Sequence, residues 1–218
     1  MMKFNFNNPT DLYFGTGSLN ELGSLTMPGK KALVLISNGR STIENGYLDR
    51  TLAELKRAGA EAAVFAKIME NPVKEVIMEG ADFARENGCD FIVALGGGAV
   101  IDSSAAISAM AVNEGVLWDY VCGGTGKCRA IINKGLPVVA IATTSGTGSE
   151  MNGFGVISNL ETNEKIGFGG PAFTPVLAIV DPELMLTVPP KYTAYQGFDA
   201  LFHNTEVMMS KGVNILSE

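Results

Sequence analysis

The sequence is poor in the residues from which many catalytic and metal sites are built. Its 218 residues include one histidine, His203, and three cysteines, Cys89, Cys122 and Cys128. A catalytic triad or a site of several histidines would have to use His203 or be built without histidine. The cysteines are odd in number and lack the spacing of metal ligands, so we interpret them as core or loop residues in a reducing compartment.

Long apolar runs and clusters of positive charge are also absent. No run approaches the roughly 18 apolar residues of a membrane helix, and residues 1–4 do not resemble a signal peptide. The net charge of −7, without clustered lysine and arginine, argues against a nucleic-acid surface. We therefore expect a cytoplasmic protein with no membrane or nucleic-acid partner, organised as one large domain or one domain plus a fragment.

An apolar run at residues 91–95 ends abruptly in Gly96, Gly97 and Gly98, and small apolar residues follow from Val100. The run is typical of a strand buried on both faces of a parallel sheet, and the residues after the glycines predict a helix. At such a turn, backbone N–H groups and the positive end of the helix dipole point to one spot, which suits a phosphate. The alternative is a tight turn whose glycines serve packing alone.

Predicted strands and helices alternate along much of the chain. The strands lie at 31–37, 62–65, 91–95, 136–142 and 176–180, and the helices at 47–57 and 72–86. This alternation predicts an α/β fold with a doubly wound parallel sheet and a ligand at the carboxyl ends of its strands. Two hairpins are expected besides, one joining 4–6 to 11–14 and one joining 155–158 to 165–168.

Polar residues follow two of the early predicted strands. Gly39 and Arg40 come after the strand at 31–37, where a fold that binds NAD carries an acidic residue for the ribose hydroxyls. A neutral residue beside an arginine favours NADP over NAD, and a solvated loop arginine is the alternative. Asn71 follows the next strand and is expected at the same edge of the sheet.

A second polar turn follows the predicted strand at 136–142. Residues 143–150 contain five hydroxyl side chains and end in Glu150. Hydroxyl groups and bare backbone can bind phosphate, ribose or the nicotinamide amide without adding bulk. The glycine-rich segment 123–127 looks like part of a phosphate-binding loop but lacks its spacing and a strand leading into it, so we interpret it as a surface loop.

A helix is predicted after Pro190, and it carries Asp199 and His203. These side chains are four residues apart, so they share one helix face and can hold one metal ion. A surface hydrogen bond between them is the alternative. Apolar neighbours, Phe198 and Phe202 among them, predict that the helix is buried. If they are left uncovered they would drive self-association, and we expect a homodimer.

Three segments, 96–102, 143–150 and 197–203, resemble in order and spacing the group III iron-containing alcohol dehydrogenases. Residues 151–152 and the hairpin at 161–165 look most like the butanol dehydrogenase branch of that family. The similarity extends over essentially the whole chain, and the three motifs are specific when they occur together.

The resemblance implies two structural parts. Residues 1–188 would form a Rossmann-like, dehydroquinate synthase-like domain that binds dinucleotide, and residues 189–218 would form the first helix of an all-helical metal-binding domain. We expect that the sequence comes from a truncated enzyme whose second domain supplies two further histidine ligands beyond Glu218. The family usually has serine where Ala99 stands and often lysine where Ala105 stands, so one phosphate hydrogen bond is expected to be missing at Ala99.

The resemblance also implies a metal-dependent alcohol dehydrogenase, in which a hydride passes between NADP, or NAD, and a small alcohol or aldehyde. The metal would be Fe²⁺, with Zn²⁺ as the alternative, and Asp199 and His203 would be its ligands and the catalytic residues. The expected cofactor-binding residues are Gly39, Arg40, Asn71, Gly97, Gly98, Ala99, Asp102, Thr143, Thr144, Thr147 and Lys165. A glycerol dehydrogenase or dehydroquinate synthase of the same fold, and a nucleotide-binding fragment that is inactive by itself, are the alternatives.

Overall fold

A computed structural model describes residue 3 and residues 5–211 of the chain. The strands are β1 (Asp11–Phe14), β2 (Lys31–Ser37), β3 (Glu61–Ile68), β4 (Phe91–Gly96), β5 (Val138–Ala142), β6 (Phe154–Asn159), β7 (Glu164–Gly169) and β8 (Leu177–Val180). The helices are α1 (Ser41–Glu44), α2 (Tyr47–Arg57), α3 (Lys74–Glu86), α4 (Gly98–Val112) and α5 (Pro190–Met209). Two predictions extend outside the described residues: the first strand at residue 4 and the terminal helical segment at residues 212–218.

Six strands form one sheet in the order β1-β8-β5-β4-β2-β3, and every pairing between them is parallel. The apolar residues of β2 alternate between the two faces of this sheet. Leu33 and Leu35 belong to one core cluster, and Val34 and Ile36 belong to the other. Helices cover both faces, because α3 and α4 contribute to the first cluster and α2 contributes to the second. The predicted α/β fold with a doubly wound parallel sheet is confirmed.

The first predicted hairpin is wrong. Asn5 and Phe6 lie outside any strand, and β1 pairs in parallel with β8, with Asp11 opposite Leu177. The N–H of Asp11 donates to the carbonyl of Val176 at 3.1 Å. Without β1, the outer edge of β8 would carry a row of backbone N–H and C=O groups without partners. Pairing β1 with β8 satisfies them, and this gain outweighs the local turn signal between residues 6 and 11.

The second predicted hairpin is confirmed as the antiparallel pair β6–β7. It packs on α4, and Gly155 makes the close approach possible. A Cβ atom on Gly155 would lie 2.7 Å from the Cβ of Asp102, which no real side chain could occupy. Helix α4 is therefore enclosed between the sheet and the hairpin, and eleven of its fifteen residues are buried.

The apolar side of the last helix is uncovered, which is the case for which we expect self-association. None of the residues of α5 is buried, and Phe198 and Phe202 are 62% and 69% exposed. No other described element covers the apolar side of this helix, so periodicity alone gave no information on its burial. Within residue 3 and residues 5–211, no helix has both the length and the apolar content needed to cross a bilayer. The division into residues 1–188 and 189–218 stays a prediction.

Candidate functional site

Two turns meet where β4 and β5 end. Gly96 lies opposite Ala142 in the sheet, and the N–H of Thr143 donates to the carbonyl of Gly96 at 3.0 Å. A Cβ atom on Gly97 would lie 2.7 Å from Thr144 Oγ1. Gly97 has a φ of −81°, so its lack of a side chain serves close approach and not an unusual backbone conformation. The structure thus brings the glycine turn and the hydroxyl turn into direct contact.

Gly98 and Ala99 begin α4 beside this contact. A Cβ atom on Gly98 would lie 2.6 Å from Thr147 Cγ2, so Thr147, like Thr144, packs against the start of the helix. The start of a fifteen-residue helix carries the positive end of its dipole. Backbone N–H groups, hydroxyl groups and this dipole therefore share one edge of the sheet, an arrangement suited to an anionic ligand such as a phosphate.

Asp102 joins three elements one turn further along α4. Its carboxylate accepts a hydrogen bond from Ser149 Oγ at 2.7 Å and another from the N–H of Val156 at 3.1 Å. Burial raises the pKa of this carboxyl group above its usual value, against the opposing effect of the two hydrogen bonds. Both oxygens are engaged within the protein, so Asp102 holds the hydroxyl turn and the hairpin on α4. Its predicted cofactor contact stays a prediction.

Two cavities open along this edge of the sheet. The smaller, of about 410 Å³, lies over the ends of β2, β4 and β5. Its lining includes Ser37, Ser41, Thr42, Asn45, Tyr47, Gly96, Gly97, Thr143, Thr144, Tyr192 and Gln196. The larger, of about 670 Å³, lies between the end of β3 and the β6–β7 hairpin. Glu70 lines both cavities, so they are neighbours, and both volumes are in the range of small-molecule sites.

Two predicted residues far apart in sequence meet in the larger cavity. Lys165 Nζ, on β7, donates to Asn71 Oδ1 at 3.0 Å, and both residues line the cavity wall. Asn38 and Glu70, which are not among the predicted site residues, line the same wall. Both sit at or beside a strand end, so the rule that selected Asn71 could have found them.

The pair Gly39 and Arg40 lies outside the described linings of these two cavities, which include Asn38 and Ser41 on either side of it. The Arg40 side chain is 85% exposed, and its Nε lies 2.8 Å from Glu44 Oε1. An exposed ion pair of this kind is weak and can be exchanged for a ligand at little cost. The predicted roles of both residues in cofactor binding stay predictions.

Asp199 and His203 lie on α5, with Asp199 Oδ1 and His203 Nε2 3.5 Å apart. Their side chains are 44% and 57% exposed. A Cβ atom on Gly146 would lie 2.9 Å from Asp199 Oδ2, and the N–H of Ser145 donates to Gln196 Oε1 at 3.0 Å. Asp199 and His203, the predicted metal ligands, are therefore on a helix that lies next to the turn at residues 143–150. Among the residues that the structure describes, no group of three or more histidine, cysteine, aspartate or glutamate side chains could hold a metal ion.

The family model described as iron-containing alcohol dehydrogenase matches residues 9–182. The chain belongs to this family.

Three relatives show how similar this chain is to members of the iron-containing alcohol dehydrogenase family and how much of their length it matches. It is 35% identical over 210 residues to NADH-dependent butanol dehydrogenase A of Clostridium acetobutylicum, covering 96% of this chain and 53% of that protein. It is also 35% identical to NADPH-dependent butanol dehydrogenase of Clostridium saccharobutylicum, covering 96% and 52%. The crystal structure of NADH-dependent butanol dehydrogenase A from Thermotoga maritima has a TM-score of 0.88 and 32% identity, covering 99% of this chain and 53% of that one. The chain thus spans about half the length of these relatives.

In this member of the iron-containing alcohol dehydrogenase family, the start of β7 is anchored by an irregular loop. Glu164 accepts hydrogen bonds from the N–H and Oγ1 of Thr125, at 2.7 and 2.6 Å, and from Trp118 Nε1 at 2.9 Å. The surface-loop interpretation of residues 123–127 agrees with this structure, but the cysteine interpretation needs correction. Cys122 and Cys128 form a disulfide across the loop, a pairing that their spacing alone did not indicate.

The hydrogen bonds to Glu164 predict a pH dependence of stability. The hydroxyl groups of Thr125 and Thr162, the largest causes, lower the pKa of Glu164 from 4.5 to about 2. A carboxyl group with a lowered pKa stabilises the folded state above its unfolded pKa and loses that effect as the pH falls through the folded one. We expect urea unfolding to show stability falling between pH 4.5 and about 2.

The matched variants are Glu164→Gln and Glu86→Gln, the latter at the exposed end of α3. Glu164→Gln should be less stable at neutral pH and should show a shallower loss of stability in acid. Glu86→Gln should keep the parent pH profile. Identical profiles for the parent and Glu164→Gln would contradict the role given to this carboxylate.

Proposed function

We propose that the chain is the nucleotide-binding part of a metal-dependent alcohol dehydrogenase, which transfers a hydride between NAD(P)(H) and a small alcohol or aldehyde. The observation that carries the proposal is the position of the 143–150 turn. Thr144 packs on Gly97 at the start of α4, and Gly146 lies against Asp199. A nucleotide whose phosphates bind where Thr144 meets Gly97 would have its nicotinamide ring near Asp199. Membership of the iron-containing alcohol dehydrogenase family supports this assignment.

The residues divide into two groups by the chemistry they can offer. At the start of α4, backbone N–H groups and the Thr144 and Thr147 hydroxyl groups would bind the pyrophosphate and orient the nicotinamide half. Lys165 and Asn71, which already hydrogen bond to each other, would hold a ribose or phosphate of the same nucleotide. These contacts fix the ring that gives or takes the hydride.

Asp199 and His203 would hold the metal on the other side of the hydroxyl turn. A carboxylate and an imidazole are donors that both Fe²⁺ and Zn²⁺ accept, so the pair fits the group. When bound, the metal supplies Lewis-acid polarisation of the alcohol or aldehyde oxygen. Asp199 lies so close to the turn at Gly146 that an added Cβ there would meet it, so the metal pair would be held next to the nucleotide.

We also propose NADP as the preferred cofactor and a cytoplasmic homodimer as the working state. The cofactor preference rests on the neutral Gly39 and on Arg40, whose exposed pairing with Glu44 a 2′-phosphate could replace. Self-association is supported by the exposed Phe198, Leu201 and Phe202 on α5, because large apolar patches seldom stay in contact with water.

The cofactor preference gives a direct prediction. Titrations that follow nicotinamide fluorescence should show tighter binding of NADPH than of NADH. Gly39→Asp would place a carboxylate against the 2′-phosphate and should weaken NADPH by about 1–3 kcal/mol, the scale of a close like-charge contact. Gly39→Ala is the matched control, because its added Cβ meets only Ser37 Oγ, at 3.4 Å. Tighter binding of NADH by the parent chain would contradict the preference.

The metal assignment predicts weak binding by this chain. Two protein ligands leave most of the coordination sphere to water, so Fe²⁺ or Zn²⁺ should exchange readily and be lost on dialysis against a chelator. Asp199→Ala and His203→Ala should each lower the remaining affinity, whereas Glu86→Ala, which removes an exposed carboxylate at the end of α3, should not. A tightly held stoichiometric metal would contradict the two-ligand assignment.

Alcohol-dependent reduction of NAD(P)⁺ tests the activity itself, measured with metal added on this chain and on a protein with the full length of its relatives. The proposal expects turnover that Asp199→Ala abolishes in the longer protein. Nucleotide binding with neither metal binding nor turnover in both proteins would support a nucleotide-binding module instead.

A further inference from the structure

The loop that anchors Glu164 is closed by the Cys122–Cys128 disulfide. Both cysteines are exposed, so a reductant can reach the bond from solvent. Cys89, the remaining cysteine, is free and partly buried, and burial raises the pKa of its thiol, which lowers its reactivity as a nucleophile. In a reducing compartment, a disulfide of this kind is more often transient and redox-sensing than structural.

The enclosed loop has a backbone that needs a constraint. Cys128 has a φ of +51° and Gly124 has a φ of +50°, so two residues of this short loop are left-handed. For a residue with a side chain this conformation is unfavourable. The N–H of Cys128 donates to the carbonyl of Val121 at 3.0 Å, and the disulfide adds the covalent closure. Breaking that closure would allow Cys128 to relax to an extended conformation.

Relaxation of the loop would change the wall of the larger cavity, because two sets of hydrogen bonds connect them. Thr125, inside the loop, donates twice to Glu164, and Glu164 is the first residue of β7. The next residue, Lys165, donates to Asn71, and all three of Glu164, Lys165 and Asn71 line the cavity. The disulfide therefore supports the strand end that carries the predicted nucleotide contact.

We propose that Cys122 and Cys128 form a reversible thiol–disulfide modification site that orders the Thr125–Glu164 anchor in the oxidised state and releases it in the reduced state. The effect on binding rests on the proposed function: the oxidised state binds nicotinamide nucleotide more tightly than the reduced state. The site links redox state to the position of Lys165.

The co-reactant is a dithiol reductant. One of its thiolates attacks a cysteine sulfur, the S–S bond breaks, and a mixed disulfide forms while the other cysteine leaves as a thiolate. The second thiol of the reductant then displaces the bound cysteine and closes its own disulfide. Two electrons pass to the protein, both cysteines take up protons as thiols, and the reductant leaves as a cyclic disulfide.

The first experiment follows the loop without any nucleotide. Trp118 is the only tryptophan in the sequence, and its indole N–H donates to Glu164, so its fluorescence reports on the anchor. Dithiothreitol should raise the thiol count of the denatured chain from one to three and shift the Trp118 emission of the native chain. A low-molecular-weight disulfide such as oxidised glutathione, which accepts the two electrons and leaves as two thiols, should reverse both changes. Cys89→Ser should keep the emission response. Cys122→Ser/Cys128→Ser should show the reduced emission under all conditions.

The second experiment measures nucleotide affinity of the same chain in both redox states, with far-ultraviolet circular dichroism to show that both are folded. We expect the affinity for NADPH or NADH to be about three- to tenfold weaker after reduction. The double cysteine variant should bind like the reduced chain and ignore dithiothreitol. Glu164→Gln should undergo the same change in thiol count with little change in affinity.

The outcomes separate the two proposals. If the disulfide reduces but neither Trp118 emission nor affinity changes, the modification site does not control the anchor and the inference is overturned. If no nucleotide binds in either state while Trp118 emission shifts reversibly, the anchor switch is supported and the proposed function fails. A chain that shows three thiols before any reductant is added would also overturn the inference.

Discussion

Gly97→Val is expected to lower the affinity for nicotinamide nucleotide by about tenfold to 100-fold while the chain remains folded. A Cβ atom at this position would lie 2.7 Å from Thr144 Oγ1 and 3.2 Å from Thr144 Cγ2, and valine adds two methyl groups beyond it. Overpacking of this kind costs about 1–3 kcal/mol, and here the loss falls on the contact between the two turns that would bind phosphate. Fluorescence titration with NADPH measures the effect.

Gly167→Val is the matched control for this substitution. Gly167 lies on β7 with open space around its Cα, so the same change there should leave nucleotide affinity near the parent value. Thermal unfolding of both variants separates binding from folding. If Gly97→Val unfolds the chain, or binds nucleotide like the parent, the glycine serves packing alone.

Asp181→Ala is expected to reduce the free energy of unfolding by about 3 kcal/mol or more, the sum of several lost hydrogen bonds to a charged group. Asp181 follows β8 and is fully buried. Its carboxylate accepts from the N–H groups of Gly17 at 3.1 Å, Leu19 at 3.2 Å and Glu183 at 3.1 Å. Alanine would leave these donors without their acceptor in the protein interior, where water does not replace it readily.

Urea unfolding at neutral pH measures this loss, with Asp181→Asn and Asp90→Ala as comparisons. Asparagine keeps one acceptor oxygen, so its cost should be smaller. Asp90 also accepts backbone hydrogen bonds, from Lys30 and Lys31, but it is exposed and water can take its place. Equal costs for Asp181→Ala and Asp90→Ala would show that burial does not decide the energy of these contacts.

The sequence by itself determined the α/β class and the edge of the sheet at which the candidate site is proposed. The continuous apolar runs that form β2, β4 and β5 are buried on both faces, and a strand of that composition is typical of a parallel sheet covered on both sides. The glycine and hydroxyl turns follow β4 and β5 directly, so their convergence follows from the shared direction of parallel strands. Their contact in the structure agrees with that prediction.

Composition and spacing gave less information on contacts between distant segments. Nothing in the pattern around Lys165 indicates that its ammonium group meets Asn71, or that Asp181 binds the N–H groups of Gly17 and Leu19. The disulfide between Cys122 and Cys128 is a similar case, since a loop must first bring the two sulfur atoms together.

Only the tertiary structure decided how β1 pairs, which residues line the cavities and whether α5 is covered. β1 pairs with β8 because that edge of the sheet offers unsatisfied backbone groups, and Phe198 on α5 is exposed because no described element packs on it. Local patterns record which surfaces a segment can bury. The partner that buries them depends on what the rest of the fold leaves open.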